Sequence, residues 1–430
     1  MPTMMSKLFV TLCALTHKTE RMANRRGVKH FLPALTVDRF SKMGGIDRAT
    51  LAAQMDDCRS FEDASWAGHW GGFATEQLRV ADVALARLGG PSSAQILDGD
   101  RDAVIEQLRS AVGPAWPLFC DRRAETGSAF RKDHPEHSEA ADALDALVQA
   151  MAYLFAASWP GWTPQRLAAY PKSRRLFDVL IRTFGPAMGI VVEEFDISIG
   201  SDSIKGYAIF PADAQPAPAI LLTNGLEGTI AEVALPALLY RPAHFACFVM
   251  EMPGTFSYKE PLSLDSENYY RAVIDLMAAD LRVDAERLGM QGASFGAHWS
   301  TRMAARDSRI KAAVSNGGLY DHGFKPSLGM FEIMASTLEK TTGTSGPMEL
   351  GKTLHTLAMP DLYQQISAPI LAVNGDSDTL VPVQDTIDLA NGAPHGELKL
   401  YPDDDHCAMG HYDECAADAM SFFQKHLDNA

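Results

Sequence analysis

Leu288-Gly289-Met290-Gln291-Gly292-Ala293-Ser294-Phe295-Gly296 is the stretch on which the fold turns. Its first four residues read as a short apolar strand, and Ala297–Ala305 beyond it as a helix. Between them lies Gly292-x-Ser294-x-Gly296. A serine placed at the tip of a tight strand-to-helix turn projects its hydroxyl clear of the backbone, and small residues two before and two after let the chain bend that sharply. The helix N-terminus behind it offers free N–H groups to a developing oxyanion. The five-residue pattern is loose by itself. Its position between a strand and a helix gives it weight.

Working outward, the chain changes character near residue 190. Ile190–Ile199 and Ile204–Phe210 read as a hairpin. Four short apolar runs follow, each with a helical segment after it: Ala219–Thr223, Phe245–Met250, Arg287–Gln291 and Ile310–Ser315. Two more lie at Pro369–Val373 and Glu397–Tyr401. Short apolar strands alternating with helices predict a mostly parallel sheet covered on both faces. With the serine turn, that is the α/β-hydrolase fold. The rhythm breaks over 318–365, where helical stretches at Phe331–Lys340 and Glu349–Leu357 predict a cap insertion.

Before residue 190 the periodic segments Asp102–Val112, Ser138–Ala157 and Lys172–Phe184 are helical in pattern. The expected organisation is a helical N-terminal or cap domain over 1–189, with 1–55 a loose leader or arm, and a catalytic domain over 190–430. Trp66 and Trp70, one helical turn apart, either line a substrate pocket or pack against the other domain.

A serine nucleophile needs a base, and the base an orienting carboxylate, in the chain order serine, acid, histidine. Asn374-Gly375-Asp376-Ser377-Asp378-Thr379-Leu380-Val381-Pro382 follows a strand as Gly-x-x-Asp-x-x-Val-Pro, which selects Asp378 as the acid; Asp376 is the alternative, or a turn-capping residue. After the last strand, Pro402-Asp403-Asp404-Asp405-His406-Cys407 offers His406 as the base, with His411 its rival. A metal site from Asp403–Asp405, His406 and His411 lacks a recognised ligand spacing. The expected oxyanion donors are the main-chain N–H groups of Phe295 and of Leu226 or Gly225, in the loop Thr223–Gly228. Glu227 is a candidate pocket residue, or with Glu232 a fixture of that loop.

The chain has 38 basic and 54 acidic residues, a net charge of −16 over 430 residues. Such a surface repels nucleic acid and anionic bilayers, leaving a small-molecule substrate as the expected partner; a homodimer is compatible with this. Six scattered cysteines without paired metal spacing suit a reducing compartment, hence the cytoplasm. Leu8–Leu15 is apolar, but no small-x-small cleavage site follows, so it reads as a helix or leader, with export the alternative. No run approaches the roughly 20 apolar residues of a membrane span. A serine–histidine–carboxylate mechanism needs no metal.

Asn224-Gly225-x-x-Gly228, Glu251-Met252-Pro253-Gly254-Thr255, Gly292-x-Ser294-x-Gly296, Gly375-x-x-Asp378-x-x-Val381-Pro382 and Asp405-His406-Cys407 together resemble the FrsA-like hydrolases. That branch includes 2,6-dihydropseudooxynicotine hydrolase and fungal polyketide-shortening enzymes. The resemblance is good over 190–430 and weaker over 60–190. It implies a cofactor-free Ser-His-Asp mechanism and a helical N-terminal domain roofing the site. It also brings the precedent of cleaving a carbon–carbon bond beside a ketone. Phe256-Ser257-Tyr258-Lys259 departs from the fungal pattern, so the substrate does not carry over. An esterase with the same triad is the alternative. A non-catalytic ligand-binding protein and a peptidase are further readings, the latter without the propeller repeats it would need.

Overall fold

In the computed structural model, residues 4–213, 216–325 and 328–428 are described. The chain groups into two compact units: Glu193–Ala430 with Met1–Met22 and Phe31–Leu35, and Ala23–His30 with Thr36–Val192.

Among the described residues there are eight strands, all in the first unit save the first three residues of β1: β1 (Ile190–Ile199), β2 (Asp202–Pro211), β3 (Ala217–Thr223), β4 (Ala246–Met250), β5 (Val283–Ala293), β6 (Ile310–Asn316), β7 (Ile370–Gly375) and β8 (Gly396–Tyr401). They form one sheet in the order β1-β2-β4-β3-β5-β6-β7-β8. β2 runs antiparallel to β4, and β3 to β8 are parallel. Every residue of β3, β4 and β7 is buried, as expected of parallel strands covered on both faces, whereas β1 and β8 at the edges carry exposed positions.

Helices cover the sheet through apolar stripes at three- and four-residue spacing. Tyr269, Tyr270, Val273, Ile274 and Met277 are buried on Glu267–Ala279, and Cys415, Ala419, Phe422, Phe423 and Leu427 on Tyr412–Leu427. Gly289 in β5 lets that last helix close on the sheet: a Cβ there would lie 2.8 Å from the Phe423 ring. Between β6 and β7 stand the helices Glu332–Thr342 and Pro347–Thr356, within the span expected to be inserted; residues 326–327 of that span lie outside the described residues.

The first residues are no loose arm. Met4–Leu15 is helical, the Gly329 N–H donates to Thr11 Oγ1 at 2.8 Å, and His17 Nδ1 lies 2.9 Å from Glu332 Oε1. These contacts with the 318–365 segment place Met1–Met22 in the sheet-bearing unit, so a single cut at residue 189 does not describe the division.

The second unit is helical and built around Ser138–Ser158, of whose 21 residues 16 are buried. The segment Pro135–Ser158 is long and apolar enough to cross a membrane, yet 83% of its most apolar window is buried within the protein, as in a core helix. Phe40 meets Trp70, Phe155 and Trp159 edge-on, and Trp66 packs against Phe61, Trp70 and Trp159. Arg166 ties this cluster to the backbone, donating to Trp159 O at 2.9 Å and Phe61 O at 2.6 Å.

Candidate active site

β5 ends at Ala293 and the helix Phe295–Arg306 begins two residues later, leaving Ser294 alone in the turn with φ 56° and ψ −124°. A positive φ is costly for a side chain with a Cβ, and here it turns Oγ away from the strand. The Ser294 N–H donates to Asn316 O on neighbouring β6 at 2.7 Å, fixing the turn to the sheet. The flanking glycines are sterically required. A Cβ at Gly292 would collide with the Gly296 carbonyl, and one at Gly296 with the Thr223 and Asn224 carbonyls. The loop after β3 thus lies directly on the serine turn. A Cβ at Gly225 would sit 2.7 Å from Ser294 Cβ and 3.2 Å from Oγ. Asn224 Oδ1 accepts the Met252 N–H at 2.8 Å, holding this loop to the exit of β4.

His406 Nε2 lies 2.9 Å from Ser294 Oγ, and His406 Nδ1 lies 2.7 Å from Asp378 Oδ2. Three ends of parallel strands bring these groups together: β5 delivers the serine, β7 the acid loop and β8 the histidine loop. Asp378 is fixed on all sides. Its Oδ1 accepts the N–H groups of Leu380 and Val381 at 2.7 and 2.8 Å, and its Oδ2 accepts Asn374 Nδ2 at 2.8 Å as well as the imidazole. Gly375 allows the histidine loop to cross β7, since a Cβ there would collide with the Asp404 and Asp405 carbonyls.

The His406 side chain is 4% exposed and that of Asp378 0%, so the pair interacts through protein rather than solvent. Burial pulls the imidazole pKa down, but the Asp378 carboxylate more than reverses this, and the net position is well above the ordinary histidine value. Burial likewise pushes the Asp378 carboxyl up. The charge of His406 and the hydrogen bonds it receives outweigh that and hold it below the usual range. His298, one turn after Ser294, is the opposite case: burial drops its pKa to about 3, and its Nδ1 lies 2.9 Å from Leu319 O. It is a neutral core histidine.

Other candidates fall elsewhere. Asp376 is exposed and accepts the Asp403 N–H at 2.9 Å, a turn cap apart from the imidazole. Asp404 accepts the N–H groups of Gly410 and His411, each at 2.9 Å, and His411 Nδ1 at 2.8 Å. Asp405 accepts the N–H groups of Thr379 and His406 at 2.7 and 2.8 Å. These carboxylates shape the loop, and among the described residues no group of three or more His, Cys, Asp or Glu could hold a metal ion.

Trp66 and Trp70 require a correction. Both are 0% exposed, with ring partners from the helical unit's own core, so they line no solvent-open pocket. Large apolar rings one helical turn apart satisfy a core as readily as a ligand. Glu227 is buried in the loop after β3. Phe295 and Leu226 are buried at the serine turn and in that loop. Sequence reading passed over Asn316 and Asn374, the final residue of β6 and the penultimate residue of β7, whose side chains both bond the backbone of Cys407, the residue after His406. For Asn374, a polar residue at the C-terminal end of an otherwise apolar strand was the available signal.

The sheet, the strained serine turn and the adjoining acid and histidine loops define the α/β-hydrolase fold. The family description "Esterase FrsA-like" matches residues 118–427, and the chain belongs to this FrsA-like family. It is 26% identical over 241 residues to 2,6-dihydropseudooxynicotine hydrolase of Paenarthrobacter nicotinovorans, covering 53% of this chain and 63% of that one. It is 26% identical over 274 residues to the hydrolase acrC of Aspergillus aculeatus, covering 58% and 62%. The esterase FrsA of Vibrio cholerae is 24% identical over 270 residues, covering 60% and 65%. The matches thus span somewhat under two thirds of each relative. The crystal structure of the 2,6-dihydroxy-pseudo-oxynicotine hydrolase superimposes with a TM-score of 0.66 at 18% identity, over 90% of this chain and 95% of the other, a likeness of fold.

Proposed function

We propose that the protein hydrolyses a small organic substrate at an activated carbonyl through Ser294, His406 and Asp378. The observation that carries this reading is the continuous hydrogen-bonded line from Ser294 Oγ through His406 to Asp378, at 2.9 and 2.7 Å. His406 Nε2 takes the Ser294 proton as Oγ attacks the carbonyl carbon, and Asp378 stabilises the imidazolium so formed. The oxyanion is received by the N–H of Phe295, the first residue of its helix and so without an intrahelical acceptor, and by that of Leu226 or Gly225. Collapse breaks the bond to the leaving group, which takes the proton from Nε2. Water then attacks the acyl-serine, giving its proton to His406, and the serine and a carboxylic acid are released. Glu227 is assigned to the pocket wall beside these donors.

The bond broken is assigned as a carbon–carbon bond next to a ketone, as in a β-diketone or aryl ketone. The similarity to a hydrolase named for dihydropseudooxynicotine favours this. A carbon leaving group must be protonated as it departs, and an imidazole shielded from bulk water is suited to that. Ester hydrolysis by the same residues is the second reading, favoured by the esterase description of the family.

A panel of p-nitrophenyl esters, β-diketones and aryl ketones tests the choice. Carboxylate release from ketones above ester turnover supports carbon–carbon cleavage, and turnover of esters alone establishes the second reading. A fluorophosphonate that fails to label Ser294 overturns both.

A further inference from the structure

We propose that Asn316 and Asn374 are positioning residues: together they clamp Cys407, the residue after His406, in a left-handed turn, and Asn374 also fixes the Asp378 carboxylate. This rests on the Ser294–His406–Asp378 reading and adds to it two residues that touch no reacting atom.

The histidine loop takes an unfavourable path. Cys407 has φ 60° and ψ 20°, and Ala408 φ 52° and ψ 43°. Two successive non-glycine residues in this region persist only where their surroundings compel them. The surroundings here are the two amides. Asn374 Oδ1 accepts the Cys407 N–H at 3.0 Å, and Asn316 Nδ2 donates to the Cys407 carbonyl at 3.0 Å. Both polar groups of the residue after the base are therefore held, from strands that are adjacent in the sheet: Asn316 pairs with Val373, the neighbour of Asn374.

Each asparagine also reaches a second member of the site. Asn374 is 0% exposed, and its Nδ2 donates at 2.8 Å to the Asp378 oxygen that receives His406 Nδ1. The main-chain carbonyl of Asn316 accepts the Ser294 N–H at 2.7 Å. The reversal brings the imidazole against Gly317, where a Cβ would lie 3.1 Å from His406 Cε1 and 2.7 Å from Cys407 Sγ. The bonding pattern requires an amide at 374. One atom must accept from a peptide N–H while the other donates to a carboxylate, and aspartate would set a like charge against Asp378.

The test uses the full-length protein and a fluorophosphonate probe, with the rate of Ser294 labelling followed against pH. Asn374→Ala is expected to slow labelling by up to about 10²-fold, because a misplaced base loses alignment with Oγ. It also removes a hydrogen bond from Asp378, leaving more charge facing His406, so the acid limb moves to higher pH by about half a unit. Asn316→Ala is expected to slow labelling less and leave the midpoint in place, since its side chain does not touch Asp378. Adding Cys407→Gly to Asn316→Ala should restore at least about threefold of the rate, because glycine takes the left-handed turn without a clamp.

Labelling within about threefold of the parent in both alanine variants overturns the proposal, as does a loss in both with an unmoved midpoint and no rescue by Cys407→Gly. Should Asn374→Ala fail to fold, Asn316→Ala with and without Cys407→Gly decides by rate and rescue alone. A parent protein that does not label at Ser294 brings down the underlying reading with the clamp; one that labels while the variants match it brings down only the clamp.

Discussion

The Ser294 turn and the Trp66–Trp70 core are held in opposite ways. At the turn, Ser294, Cys407 and Ala408 all have positive φ, and directional hydrogen bonds from strand ends fix the groups around them. In the helical core, rings meet edge-on and tilted around Phe40, and Trp70 Nε1 has no partner among the described residues. Apolar packing tolerates changes of shape that conserve volume, whereas a strained turn held by single hydrogen bonds does not. Substitutions at the first region should therefore be read out in rate, and at the second in stability.

The sharpest way to break this contrast is Ser294→Ala, expected to lower turnover by on the order of 10⁵ to 10⁶ with the thermal midpoint unchanged. Ser294→Gly should be equally inactive but more stable than the parent, by about 1 kcal/mol, because glycine relieves the positive φ. Urea unfolding checks this. A glycine variant less stable than the alanine one would mean that the turn stores no strain.

Next in size is Asp378→Asn, expected to cost about 10⁴-fold in kcat, since an amide there favours the wrong imidazole tautomer. Asp376→Asn caps an exposed turn and should stay within about threefold. Equal losses would remove the distinction between the two carboxylates, and a larger loss at Asp376 would make it the partner of the base.

The hydrolase half was legible because its signals are local and chemically specific. Gly-x-Ser-x-Gly marks a turn that needs small neighbours, and Gly375-x-x-Asp378 and Asp405-His406 lie just past strands of the right spacing. Asn316 and Asn374 were not legible as partners, because their bonds reach Cys407 across 91 and 33 residues of chain. The tryptophans were misread for a related reason: helical spacing identifies a shared face but not what that face meets. The first helix, within the span taken for a loose arm, receives at Thr11 a glycine N–H more than 300 residues away, and His17 just beyond it meets Glu332.

A smaller, graded effect is expected from pH. His406 must be neutral to accept the Ser294 proton, and its pKa is raised, so kcat/KM should fall about tenfold per unit below a midpoint higher than 6.5. Stability runs the other way. A raised histidine pKa contributes stability that is fully present below the unfolded value and lost as pH rises through the folded one. The lowered Asp378 pKa contributes stability present above its unfolded value and lost as pH falls through the folded one. Rate and urea midpoint measured across pH 5–9 should thus diverge on the alkaline side. A parallel rise would mean that Asp378 does not hold the imidazolium.

The smallest effect on rate belongs to the tryptophans. Trp70→Phe keeps a ring in the core and removes an indole N–H that has no partner among the described residues, so it should destabilise modestly. Trp66→Phe also loses the 2.8 Å bond from Nε1 to Ala156 O, and should cost about 1 kcal/mol more. Both variants should keep the parent's KM and kcat on a small ester within about twofold at a temperature where they are folded, because a ring sealed in a core meets no substrate. Paired urea curves and kinetics decide the matter. A raised KM for bulky ketones in Trp70→Phe, with the urea midpoint unmoved, would return that ring to the substrate pocket and erase the distinction between the two regions.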